Sequence, residues 1–221
     1  MKILCISDTH NKHIQITNPL INNEDGSIDV IIHAGDMTSR GYKNEIVVFL
    51  DWYNALNFKH KILIAGNHDF YMEQKGAEKD IEDLFKDRPS ITYLNDSGTE
   101  IDGVKFWGSP VQPWFYNWAF NRLGDQINKH WDMIPLDTKV LITHGGPKNI
   151  GSLNLTTKNE DVGCPFLEKR ILKLKNLSLF VQGHIHEGYG MYEINNGPTF
   201  INASLLNENY EMKNQPILIT I

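Results

Sequence analysis

Cysteine is almost missing from this chain of 221 residues, with Cys5 and Cys164 the only two. Two thiols make no disulfide framework, so a reducing compartment, the cytoplasm, is the expectation. No apolar run approaches the ~20 residues of a membrane-spanning helix, and the amino terminus shows no basic, then apolar, then small-residue leader pattern. Basic residues are also in deficit. Lys and Arg number 21 against 27 Asp and Glu, for a net charge of −6, which argues against a broad surface for duplex nucleic acid. Repeats, low-complexity tracts and linkers are missing too, so residues 1–221 are expected to form one domain.

What remains is an ordinary globular composition, 41% hydrophobic and 22% charged, which excludes disordered, coiled-coil and collagen-like classes. Five short apolar runs each end in a polar cluster. Lys2 to Ile6 precedes Ser7, Asp8, Thr9 and His10; Val30 to His33 precedes Ala34-Gly35-Asp36. Lys61 to Ala65 leads into Gly66-Asn67-His68-Asp69, Lys139 to Thr143 into His144-Gly145-Gly146, and Leu177 to Val181 into a segment ending Gly183-His184-Ile185-His186. Such runs predict buried strands. Ile46, Phe49, Leu50, Tyr53 and Leu56 recur at helical spacing, and a shorter helical pattern covers Ala77 to Phe85. Strands alternating with helices predict a largely parallel sheet. An Asp102-Gly103 turn and a second turn over 194–198 bring in antiparallel strands later, and a second mixed sheet packed on the first accounts for them.

Ligands gather outside the carboxyl ends of strands in open α/β sheets, and those ends hold Asp8, His10, Asp36, Asn67, His68, His144, His184 and His186. One His or Asp after a strand is usually a cap or a turn former; five strand ends in agreement carry the inference. Carboxylate, imidazole and amide oxygen without thiolate suit borderline divalent cations such as manganese, iron or zinc. The donors exceed the needs of one ion and point to a pair. In an acidic protein, bound cations would also be the local positive charge that holds a phosphate.

Asp8-x-His10, Gly35-Asp36, Gly66-Asn-His-Asp69, His144-Gly-Gly and Gly183-His-x-His186 resemble, in order, the five motifs of the calcineurin-like metallophosphoesterases. That resemblance implies an α/β fold of two mixed β-sheets packed as a sandwich and flanked by helices. It places Asp8, His10, Asp36 and His186 around one metal, with Asp36 bridging to a second held by Asn67, His144 and His184. Two divalent ions, manganese foremost with iron or zinc as alternatives, would share a bridging hydroxide that attacks phosphorus. His68 would act as general acid toward the leaving oxygen. The segments Gly108 to Phe115, Trp118 to Asn121, Gly163-Cys164, Gly183 to Gly190 and Ile201 to Ser204 resemble more closely the metallophosphoesterase-domain-containing, fetal-brain protein 239-like group. Membership there implies hydrolysis of small phosphodiesters, including cyclic nucleotides. Some members lack one histidine of the last motif; this chain keeps both.

Other residues carry weaker expectations. His33 is either an orienting hydrogen bonder or a core histidine, and Asp69 a hydrogen bonder in its loop. Arg40 stands where protein phosphatases carry a phosphate-binding arginine, but Ser39 replaces the aspartate those enzymes place before it. His13, His60 and His130 read as surface or packing residues. The aromatic stretch over 108–124 is either a plug on the core or a wall facing substrate. The competing functions are a phosphoprotein or phosphomonoester phosphatase and a metal-binding interaction scaffold.

Overall fold

The computed structural model describes residues 1–221. Its strands are β1 (Lys2–Ile6), β2 (Val30–Ala34), β3 (His60–Ile64), β4 (Ile91–Tyr93), β5 (Ser97–Ile101), β6 (Val104–Ser109), the two-residue β7 (Gln112–Pro113) and β8 (Asn121–Arg122), then β9 (Val140–Thr143), β10 (Leu179–Gln182), β11 (Gly190–Glu193), β12 (Thr199–Asn202) and β13 (Ile217–Thr220). The helices are α1 (Lys43–Ala55), α2 (Glu78–Lys86), α3 (Asn128–Asp132) and α4 (Pro165–Ile171).

One sheet runs β13-β1-β2-β3-β4, parallel except for β13; the other runs β11-β12-β10-β9-β6-β5, with β11 and β5 antiparallel at its edges. Both sheets are therefore mixed, as expected. Alternation along the strands sorts the side chains into layers. Ile3, Cys5, Ile32 and Ile62 of the first sheet meet Val140, Ile142, Val181 and Ile201 of the second in one buried cluster between the sheets. Leu4, Ile6, Ile31 and Leu63 point the other way, onto Ile46, Phe49, Leu50 and Tyr53 of α1. On the far side, Leu141, Phe180 and Phe200 pack with Trp131 of α3 and Leu167 of α4. The order is helix, sheet, sheet, helix.

The 46/49/50/53 spacing becomes the buried face of α1, and Asp102 (φ 48°) with Gly103 (φ 78°) makes the reversal between β5 and β6. Boundaries of the five expected strands differ from expectation by at most a single residue, except at the start of β10. The run from Leu177 becomes a strand only at Leu179, because the Leu177 amide closes a turn onto the Leu174 carbonyl. Leu177 still packs in the outer cluster with Phe180, so its apolarity reflects burial rather than strand pairing. No helix is long and apolar enough to cross a membrane.

Candidate metal centre

The carboxyl ends of β1, β2, β3, β9 and β10 open onto one point, where the chain turns sharply. Asp8 (φ 52°), His10 (φ 39°), Asp36 (φ 55°) and His184 (φ 72°) all occupy the left-handed region, which Asp and His tolerate better than most residues. The backbones also approach unusually closely. A Cβ on Gly183 would fall 2.1 Å from Asp8 Oδ2, and one on Gly66 would fall 2.3 Å from Asp36 Oδ1. Glycine at these positions is what lets the carboxylates enter.

Three histidines present the same atom to the centre. His10 Nδ1 lies 3.1 Å from the Thr38 carbonyl, His144 Nδ1 2.9 Å from that of Ala34, and His186 Nδ1 2.9 Å from that of Asn207. A carbonyl only accepts, so Nδ1 carries the proton in each ring and Nε2 is left for the centre. His186 Nε2 is 3.4 Å from Asp8 Oδ1 and 3.3 Å from His10 Nε2. His10 Nε2 is 3.6 Å from Asp36 Oδ2, and His144 Nε2 is 3.3 Å from that same oxygen. Asn67 Oδ1 lies 3.0 Å from His144 Nε2. Ligand atoms of Asp8, His10 and His186 fall within 4.8 Å of one another, as do those of Asp8, Asp36 and His144.

His184 is held differently and belongs to neither group. Its backbone N–H donates to both oxygens of Asp8, at 3.1 Å each, and its ring stands 5.0 Å from those of His144 and Phe115. His68, the expected general acid, joins a third trio with His10 and Asp36. Its amide donates to Asp36 Oδ1 at 2.8 Å, and Nδ1 lies 2.9 Å from the Ser39 carbonyl. The His68 ring leans on Trp118, with centroids 4.3 Å apart.

Asp8 and Asp36 are buried, and their only ion-pair partners are histidines. Two carboxylates in such a place are costly without compensating charge. Burial pushes the Asp36 carboxyl up, but His144, then His10 and His68, outweigh it and hold it well below the usual carboxylate range. Asp8 is likewise raised by burial and lowered further by its hydrogen bond and charge interaction with His186. Burial would depress His144, yet Asp36 lifts it to about 9. Burial also opposes His186, which the Asp8 hydrogen bond raises to about 9. Protons on these two rings supply the positive charge that cations would bring. Burial moves His10 down to about 4 and His184 to about 3, leaving both neutral and ready to ligate. The donor set fits two divalent cations.

The other residues singled out by sequence have separate roles. His33 is buried, with Nε2 3.0 Å from the Thr9 hydroxyl and its ring 4.7 Å from that of Phe49; it is a core histidine that touches no ligand side chain. Asp69 is the loop hydrogen bonder expected of it, accepting from Gly66, Met37 and Thr38. Arg40 is exposed at the surface. His13 packs against Phe49 and Trp52. His130 does more than pack. Its Nδ1 lies 2.6 Å from Asp96, and Arg122 Nε donates to its Nε2 at 3.1 Å while Arg122 Nη1 donates to Glu73 at 2.8 Å. Because arginine only donates and carboxylate only accepts, His130 Nδ1–H donates to Asp96 and Nε2 accepts from Arg122 in this arrangement. No local pattern announces that chain, whose members come from four separate segments.

That network fixes the 108–124 stretch, part of which plugs the core while another part lines a cleft. Val111, Ala119 and Phe120 are buried in the core clusters. Trp114 is 54% exposed and, with Phe115, lines a cleft of about 390 Å³ beside His184. Asn154, Thr156, Val162 and Ile185 complete its walls. Ser204, at the end of the Ile201 to Ser204 segment, also reaches the centre, where its hydroxyl donates to Asp8 Oδ2 at 2.8 Å.

The fold has known counterparts. The crystal structure of TT1561 of Thermus thermophilus superposes with a TM-score of 0.65 at 13% identity, covering 91% of this chain and 88% of that one. The structure of an archaeal phosphodiesterase gives 0.51 at 17% identity, over 99% of this chain and 100% of its own. At such identities the likeness is one of fold. In sequence, human metallophosphoesterase domain-containing protein 1 is 35% identical over 240 residues, spanning 100% of this chain and 71% of the relative. The calcineurin-like phosphoesterase model matches residues 1–199, a stretch that carries every motif side chain converging on the centre, and the chain therefore belongs to the calcineurin-like phosphoesterase family.

Proposed function

We propose that this phosphoesterase is a phosphodiesterase acting on small phosphodiesters, cyclic nucleotides among them. One metal would be held by Asp8, His10, Asp36 and His186, and the other by Asp36, Asn67, His144 and His184. Two bound divalent cations, manganese in our reading, supply Lewis acidity toward phosphoryl oxygens and make water a nucleophile near neutral pH. His68 serves as general acid: Nδ1–H donates to the Ser39 carbonyl, so it is the imidazolium form, with a second proton on Nε2, that can deliver a proton to the leaving oxygen.

The cleft beside His184 carries this reading. Its walls include Trp114, Phe115, Val162 and Ile185 together with Asn154 and Thr156, and no Lys or Arg lines it. A phosphomonoester presents its extra negative charge where cationic side chains would help, whereas a diester presents a second ester group. A planar base against Trp114 or Phe115 matches that environment.

The test is hydrolysis of bis(p-nitrophenyl) phosphate beside p-nitrophenyl phosphate with manganese, in wild type, His68→Ala and Asp36→Ala. Rapid cleavage of the diester, slow cleavage of the monoester and impairment of both variants are expected. Failure of the wild type to cleave the diester at full metal occupancy would leave a scaffold as the reading; preference for the monoester would make the protein a phosphatase.

A further inference from the structure

Beyond the last strand of the second sheet, residues 206–212 form a tight reversal over the histidines of the centre. Leu206 and Met212 pair in an antiparallel bridge, and the Tyr210 amide donates to the Asn207 carbonyl at 2.8 Å. Asn207 Oδ1 accepts from the amides of Asn209 (3.0 Å) and Glu211 (2.8 Å). The same Asn207 carbonyl receives His186 Nδ1 at 2.9 Å. The turn is thereby fastened to a ligand histidine.

At its tip Tyr210 has φ 57°, a left-handed conformation uncommon for a bulky aromatic residue. Backbone strain of this kind persists where the surroundings impose it, and it clusters at functional sites. Lys12 Nζ donates to the Tyr210 carbonyl and holds the turn from the other side. The result is specific. The phenol ring stands edge-on to His10 and to His186, with centroids at 5.0 Å from each, and 6.5 Å from His68. It remains 44% exposed despite these contacts. Trp118 lies against His68 at 4.3 Å, so aromatic rings stand near the general acid both from the 108–124 stretch and from the carboxyl-terminal turn. Tyr210 also falls outside residues 1–199, the part matched by the family model.

We propose that Tyr210 is a substrate-contacting residue whose ring packs against the ester group on the His68 side, favouring aromatic over small aliphatic substituents. This rests on the reading of His68 as the acid beside the leaving oxygen. The contact is made by the ring face and edge, not by the hydroxyl.

The experiment compares wild type, Tyr210→Ala and Tyr210→Phe, each manganese-loaded with metal content measured directly. Binding of diphenyl phosphate and of dimethyl phosphate is followed by calorimetry. Diphenyl phosphate carries an aromatic ester on both sides, so one ring must face Tyr210. Tyr210→Ala should weaken diphenyl phosphate about tenfold, the size of one aromatic contact. Dimethyl phosphate should change less than twofold, metal content should be unchanged, and Tyr210→Phe should match wild type. An equal loss for both ligands, a loss of metal, or unchanged affinity in Tyr210→Ala overturns the proposal. A loss in Tyr210→Phe equal to that in Tyr210→Ala moves the contact to the hydroxyl and also overturns it. If the wild type cleaves no diester at full occupancy, the phosphodiesterase reading fails, while the binding comparison still decides the place of Tyr210.

Discussion

Replacing Asp69 with asparagine tests how the loops of the centre are held. Asp69 is fully buried. Its Oδ2 accepts from the amides of Gly66 (2.8 Å) and Met37 (3.3 Å), and its Oδ1 from the Thr38 amide (3.0 Å) and hydroxyl (2.7 Å). Every partner is a donor, so the site requires two acceptor oxygens. An asparagine keeps the shape but turns one oxygen into a donor. With the amide nitrogen in the Oδ2 position, two backbone N–H groups lose their partner inside the protein. Each unsatisfied buried group costs about 1–3 kcal/mol, so the pair costs ~2–6 kcal/mol, with ~4 kcal/mol as the central value. For a chain of this size that lowers Tm by roughly 8–16 °C, at ~2–4 °C per kcal/mol. The measurement is urea unfolding of metal-free protein at pH 8, because burial and then the neighbouring Asp36 raise the Asp69 carboxyl to about 7 and it must be ionised. The two loops that Asp69 ties together also carry Asp36, Asn67 and His68, so manganese affinity should fall in parallel. A loss of stability below ~1 kcal/mol, or weakened stability with unchanged manganese affinity, would refute the reasoning.

Two further outcomes follow from the same geometry. Gly183→Ala places a Cβ 2.1 Å from Asp8 Oδ2; it should displace that carboxylate and reduce bound metal, and elemental analysis showing full occupancy would contradict this. Stability of the metal-free protein should fall on both sides of neutrality. Burial lowers His13 to about 4 and His33 to about 3. Their unfolded counterparts titrate near ~6.5, so stability is complete above that pH and drains as pH falls toward the folded values. His144 and His186, lifted to about 9 by their carboxylates against the opposing effect of burial, contribute stability that is complete below ~6.5 and is lost as pH rises through 9. Urea midpoints at pH 5, 6.5 and 9 check both limbs, and a profile flat from 5 to 9 would count against the assignments.

The sequence by itself determined the five strands that carry the motifs, the helical face of α1 and the motif residues gathered at the centre, because those signals are local. An apolar run followed at once by Asp-x-His or Gly-Asn-His states both a buried strand and the chemistry at its end. Gly66 and Gly183 are likewise legible as motif glycines, but the carboxylates they admit are distant in the chain: a Cβ on Gly183 would meet Asp8 and one on Gly66 would meet Asp36, at 2.1–2.3 Å, a relation that appears only in three dimensions. Tertiary structure alone decided what depends on residues distant in the chain. Asp96, His130, Arg122 and Glu73 come from separate segments, and each alone has the composition of an ordinary surface. The same holds for Trp118 against His68 and for Tyr210, which lies 200 residues beyond His10 yet only 5.0 Å from it, ring to ring. A sequence pattern records which face of a strand or helix is buried. Which side chains meet across the ends of two sheets is fixed by strand order and by the paths of the loops, and no local periodicity encodes either.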